Sequence, residues 1–156
     1  MTENKKLLQL TLSFPFGDHS NRLFQNLHFE AFCKEHSVNY VNPSFENLQS
    51  FYVNPCAITS KKKSFLSKHP KLLLKLNKLN LLSNVILFDE ESPANENILL
   101  ETSNENTFVG GWGFRTHSLT EKYQDDFSER YTLKANFYEN NELFKIFSQK
   151  RNEGFI

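Results

Sequence analysis

The alternation at residues 8–14 leaves this chain few architectures to choose from. Leu8, Leu10, Leu12 and Phe14 alternate with Gln9, Thr11 and Ser13, which predicts a strand with one apolar face. "PFGDHS" breaks that period as a turn around Gly17, and Asp18 or Ser20 can cap a following helix. Leu23, Phe24, Leu27, Ala31 and Phe32 then recur at helical spacing through about His36, with Phe24 read as a core side chain. "VNYV" at 38–41 reads as a second strand, closed by Asn42-Pro43. A strand, a helix and a strand in such quick succession are joined most economically with the strands parallel. The fold class expected is α/β, a parallel sheet flanked by helices.

Later segments carry weaker signals. Residues 44–60 read as irregular, with Pro55 as a breaker. Residues 61–84 hold seven lysines, and Pro70 opens a helix. On that helix Leu72, Leu73, Leu76 and Leu79 fall on one side and Lys71, Lys75 and Lys78 on the other. "VILFD" at 85–89, "ILLET" at 98–102 and "TFVGGW" at 107–112 read as short strands, and "SPANEN" as a turn. Ser118 and Glu121 have capping-box spacing and head a helix that carries Tyr123, Phe127, Arg130 and Tyr131. A last helix is expected at about 140–151, and "EGFI" reads as the opening of another strand.

The 156 residues are expected to form a single domain, 1–156. A formal net charge of zero hides an asymmetry. Residues 1–80 hold 11 Lys/Arg against 5 Asp/Glu, and residues 81–156 hold 7 against 13. A basic half suits an anionic ligand, and it serves equally to neutralise the acidic half. Cys33 and Cys56 form no close pair, which argues against a zinc knuckle or redox motif and for a reducing, cytoplasmic compartment. No apolar run is long enough to cross a bilayer. No two histidines share a helix face at metal-ligand spacing, so no metal is expected. The lysine-rich stretch 61–78 reads as a solvated helix face, or as a peripheral contact with an anionic membrane. Its interleaved leucines, where base stacking would need aromatic residues, argue against nucleic acid.

The first turn is the candidate site. In a strand-turn-helix unit the unpaired amides of the helix start point into the turn and favour a phosphate or carboxylate. Gly17 allows close backbone approach, Ser20 and Asn21 offer polar side chains, and Arg22 can make a two-pronged phosphate contact. A single glycine is neither a dinucleotide fingerprint nor a phosphate loop, so an ordinary capped turn fits the same spacing. Trp112 in "GGWGFR" can stack on a sugar ring with Gly110, Gly111 and Gly113 making room, or pack as a strand-end aromatic. Arg115 and Arg130 can bind acceptor or donor groups, or form surface ion pairs.

The order of residues in two segments carries a resemblance. "G-x-x-x-N-R-L-F-Q", "A-F-x-x-E-H" and "V-N-P-S-F" at the start, with "GGWGFRTHSLTEKYQDDFSERY" later, resemble bacterial glycosyltransferases related to the α-1,2-fucosyltransferases. The similarity lies at the two ends of a span from about 8 to 147, and 46–106 matches only loosely. It implies a Rossmann-like domain, the amino-terminal half of a GT-B-type enzyme that transfers from a GDP-sugar such as GDP-fucose to a glycan acceptor without an obligatory metal. Gly17, Asn21 and Arg22 fall on that family's first-turn motif, with Phe24 and Gln25 completing it. Ser20 stands where relatives often have glycine, and Asp18 where they often have arginine. The family's His-x-Arg donor motif is absent from these residues. The chain is therefore expected to be an incomplete glycosyltransferase lacking the carboxyl-terminal donor domain, inactive alone. Such a chain would leave apolar surface uncovered and open to self-association. The alternative is a non-catalytic remnant that binds a carbohydrate or a protein.

Overall fold

The computed structural model describes residues 7–10, 18–55, 65–66, 69–88, 96–101 and 106–139. Four short strands form one sheet: β1 (Leu7–Leu10), β2 (Asn39–Val41), β3 (Val85–Leu87) and β4 (Asn106–Gly110). Their order is β2-β1-β4-β3 and every pairing is parallel. Leu8 stands opposite Tyr40 on one side and Thr107 on the other; Ile86 stands opposite Val109. The expected α/β class with a parallel sheet is what the chain forms.

Between β1 and β2 runs α1 (His19–Glu35), and between β2 and β3 come a 3-10 helix (Pro43–Phe51) and α2 (Pro70–Lys78). The β3–β4 crossover contains α3 (Glu96–Glu101), and β4 is followed by α4 (His117–Lys122), α5 (Gln124–Arg130) and α6 (Ala135–Glu139). Right-handed crossovers on this strand order require α1 and α3 on one face of the sheet and α2 on the other. The burial agrees: Leu99 of α3 shares a core cluster with Phe29 and Phe32 of α1, together with Phe88, Val109 and Phe114. Leu73 of α2 is buried outside that cluster.

Both α1 and α2 end in the same way. Ser37 and Asn80 adopt left-handed backbone, with φ of 52° and 54°. In each case the next residue donates back across the helix end, Val38 N–H to the Cys33 carbonyl at 2.9 Å and Leu81 N–H to Leu76 at 3.0 Å. This closes the orphan carbonyls and turns the chain sharply out of the helix. Pro43 and Pro70 sit at the first turns of their helices, where a missing N–H costs no hydrogen bond.

Several expectations change. "ILLET" is not a strand: Glu96–Glu101 is helical, with Leu99 inward and Ile98 and Leu100 exposed. Parallel neighbours such as β3 and β4 need a crossover, and this segment supplies it. Residues 43–51 are not irregular but 3-10 helical, burying Phe45 and Leu48. The leucine side of α2 is only partly inward, since Leu73 is buried while Leu72 and Leu79 are exposed. Asp18, not Ser20, occupies the N-cap of α1. The Ser118/Glu121 capping box does not form, because α4 starts two residues earlier, with Thr116 at its N-cap. The helix expected after it breaks at Tyr123 into α4 and α5. The expected helix at 140–151, the "EGFI" strand, Cys56 and Lys61–Lys63 lie outside the described residues.

A second core cluster fills the space between α1, the 3-10 helix and α5. It is built from Ala31, Phe45, Leu48, Tyr52, Phe127 and Tyr131. No described helix is long and apolar enough to cross a membrane.

Candidate functional site

The strand order singles out one place. β1 lies between β2 and β4, and the carboxyl ends of these strands form one edge of the sheet. Open parallel sheets bind ligands outside the carboxyl ends of their strands. Three described segments lie near that edge: the start of α1, the residues after β2, and the loop 111–116 after β4.

Gln25, fully buried on α1, joins that helix to the loop after β4. Its Nε2 donates to the Gly111 carbonyl at 3.2 Å, and its Oε1 accepts from Arg115 Nη1 at 3.2 Å. Arg115 also donates to the Phe114 carbonyl at 2.7 Å. That fixes its guanidinium over the Trp112 ring at 4.3 Å and the Phe24 ring at 5.1 Å. A cation held against two aromatic faces is stabilised by their quadrupoles. On the opposite flank, Arg22 Nη1 reaches the Ser44 carbonyl at 3.5 Å, just beyond β2. Arg22 thus stands beside the residues after β2, and Arg115 on the loop after β4.

Gly111 explains part of "GGWG". Its φ is +89°, and a Cβ there would lie 1.9 Å from the Phe88 carbonyl oxygen. Gly113 N–H donates to that same oxygen at 3.1 Å. Gly111 is therefore needed so that the loop can cross the backbone leaving β3, and not to clear space beside Trp112 as expected.

Behind this loop sits His28, one turn along α1 from Phe24. It is 1 % exposed. Its Nδ1 accepts the Thr116 backbone N–H at 2.9 Å, while Thr116 Oγ1 donates to the His28 carbonyl at 2.8 Å. Thr116 thus spends its side chain on α1 and none on capping α4. Burial first, then His117 and Arg115, lower the His28 pKa to about 4, so the ring is neutral near pH 7. With Nδ1 accepting, the proton resides on Nε2. Nε2 is buried and has no hydrogen-bond partner. Phe24 and His117 meet the ring edge-on at 4.5 and 4.9 Å.

A second polar group is structural. Glu30, 2 % exposed, accepts from the Arg130 guanidinium and from Tyr131 Oη. Asn26 donates to Tyr131 Oη at 2.8 Å and accepts from Asn42 Nδ2 at 2.9 Å. Ser44 Oγ closes the chain on Asn42 at 2.5 Å. The Arg130 charge is disfavoured by burial and restored by the Glu30 carboxylate, which raises its pKa overall. "NPSF" and "ERY" are thereby tied to the middle of α1. Arg130, considered for ligand binding in the sequence, is committed to Glu30 and Asp126.

Of the sequence-derived site residues, Trp112 and Arg115 come together, half-buried, on the crevice. Arg22 lies on its far flank. Ser20 and Asn21 are exposed on the first turn of α1, and Gly17 lies outside the described residues. Phe24 is not core but 40 % exposed, part of the crevice wall. Gln25 and His28 were missed as site residues. Their signal was spacing: with Asn21 and Phe24 they recur at i, i+3, i+4 and i+7, which is one helix face. Among the described residues no cluster of His, Cys, Asp or Glu has the arrangement of a metal site. No protein-family model matches the chain, and neither any curated protein nor any solved structure matches it significantly.

Proposed function

We propose that this chain is a glycosyltransferase-like, Rossmann-like domain of the fucosyltransferase kind, the amino-terminal half of a GT-B architecture. Its crevice at the ends of β1 and β4 would take part in transfer from a GDP-sugar to a glycan acceptor. One observation carries the reading. The two segments that bear the resemblance are 86 and 90 residues apart where they touch, yet they are bonded to each other through Gln25, Gly111 and Arg115. They meet at the sheet edge where α/β folds hold their ligands.

The geometry suits a sugar next to an anion. Trp112 and Phe24 supply flat apolar surface, Arg115 and Arg22 supply positive charge on either side, and the start of α1 adds partial positive charge. Inverting transfer needs a base at the acceptor hydroxyl and stabilisation of the departing diphosphate. Neutral His28 is enclosed behind the loop, so it is not that base. Trp112, Phe24, Arg115 and Arg22 would bind and orient the sugar.

The test is a GDP-sugar hydrolysis and transfer assay on the purified chain, paired with calorimetric titration of GDP-fucose and free glycans. Saturable binding is expected. Binding that Arg115→Ala leaves intact would refute the site, and absence of any GDP-sugar or glycan binding would refute the function.

A further inference from the structure

The acidic residues of the chain leave one long gap. Residues 47–88 hold seven lysines and no Asp or Glu, although the whole chain has 18 acidic residues. Exposed apolar side chains gather in the same span. Of the nine large hydrophobic side chains exposed among the described residues, Val53, Phe65, Leu72, Leu79, Leu81 and Leu87 fall within it. α2 stands among them, seated by Leu73, which is 1 % exposed. Leu72 and Leu79, two turns apart, share one line on its outer side, beside a row formed by Lys71, Lys75 and Lys78. Phe65 lies at one end, its ring 4.4 Å from that of the N-cap His69. Leu81 lies at the other, just past the left-handed turn at Asn80.

We propose that this face docks on an anionic lipid bilayer, with its leucines entering the headgroup region and its lysines on the lipid phosphates. The lysines are not committed within the protein. Lys34 and Lys122 pair with Asp126 and Glu35, whereas no carboxylate among the described residues pairs with Lys71, Lys75 or Lys78. Helix stability does not account for them either. Lys75 and Lys78 complement the carboxyl end of α2, but Lys71 stands in the first turn, where the helix dipole disfavours a cation and no acid offsets it. Exposed leucines beside uncompensated lysines match a surface that is apolar within and negative outside. The long lysine stems let the ammonium groups reach the phosphates while the leucines go deeper. A second copy of the chain fits less well, because a two-fold contact would set the lysine row against itself. The docking is peripheral, since no described helix is long and apolar enough to cross a membrane. The face lies on the side of the sheet opposite α1 and does not rest on the reading of the crevice.

The experiment is flotation of the purified chain with vesicles of phosphatidylcholine alone and of phosphatidylcholine mixed equally with phosphatidylglycerol. Binding to the mixed vesicles and not to the neutral ones is expected. It should be lost at about 1 M salt, where the screening length shortens to about 3 Å. The triple variant Lys71→Gln/Lys75→Gln/Lys78→Gln should bind at least about tenfold more weakly. So should Leu79→Gln/Leu81→Gln, whose leucines are 58 % and 65 % exposed, so that neither change touches the core. Lys122→Gln removes the same charge from α4, which packs on α1, and should bind as the parent does. No binding to the mixed vesicles, equal binding to both kinds, binding that survives either multiple variant, or an equal loss in Lys122→Gln overturns the proposal. Self-association that Leu79→Gln/Leu81→Gln abolishes, without vesicle binding, gives the face to a second copy and overturns it too, as does retention on single-stranded DNA in place of vesicles. None of these readouts uses a nucleotide sugar, so a failure here is distinct from a failure of the crevice.

Discussion

Removing the carboxylate of Glu30 is the perturbation whose size the structure fixes best. The side chains of Glu30 and Arg130 are 3 % and 16 % exposed. Glu30→Gln keeps the volume, deletes the charge, and turns an amide toward donors on Arg130 or Tyr131. Breaking a buried ion pair from one side costs about 3–5 kcal/mol, because the other charge stays behind. Arg130 keeps Asp126 at 3.2 Å and some access to water, which places the expected loss near the lower bound, about 3 kcal/mol. For a domain of this size that is a fall in Tm of roughly 6–12 °C. Replacing both partners by Met removes the stranded charge, so the double variant should lose clearly less than the sum of its single variants. Urea unfolding followed by circular dichroism measures the parent, Glu30→Met, Arg130→Met and the double variant, with Glu30→Gln beside them. If Glu30→Gln lies within about 0.5 kcal/mol of the parent, a typical neutral surface change, or if the single losses simply add, the network is not what holds α5 to α1.

Two further outcomes follow from the same geometry. Gly111→Ala should destabilise by at least about 1–3 kcal/mol, since the new methyl group meets the Phe88 backbone; thermal melts check this, and an unchanged Tm would mean that the loop does not cross β3 as described. His28 has a folded-state pKa near 4 against an ordinary 6.5, so the unfolded chain takes up its proton first and stability is lost as pH falls through that window. His28→Gln should flatten the Tm profile between those pH values. Glu35 and Asp126, whose pKa values are lowered from 4.5 and 3.8, lose their contribution only in more acidic solution. A parent profile already flat between pH 4 and 6.5 would show that His28 is not buried neutral.

The sequence made the framework legible wherever a periodic pattern met a breaker. Pro70 and the Asn42-Pro43 closure each announced a boundary that the chain keeps, and the alternation at 8–14 announced a strand whose described part is Leu7–Leu10. It was silent where two periods fit equally. "ILLET" is too short for its spacing to separate strand from helix, and only the need for a crossover decides it. On α1 the pattern misled: Phe24 belongs to the apolar series yet is exposed, while Gln25, Asn26, His28 and Glu30 are buried. Polar residues read as outward because their partners at Gly111, Thr116, Arg130 and Tyr131 lie roughly a hundred residues away, and no local rule reaches that far. The pairing of Trp112 with Arg115 was visible as a motif, but the bridge through Gln25 that ties it to α1 was not.

The chain has one tryptophan, and it stands in the crevice. Its fluorescence therefore reports on the central claim without a label. Titrating GDP-fucose, and separately a free glycan acceptor, is expected to give a saturable change in Trp112 emission that Arg115→Ala weakens. An emission that stays constant into the millimolar range for both ligands, on folded protein, would contradict the assignment of this crevice to sugar transfer.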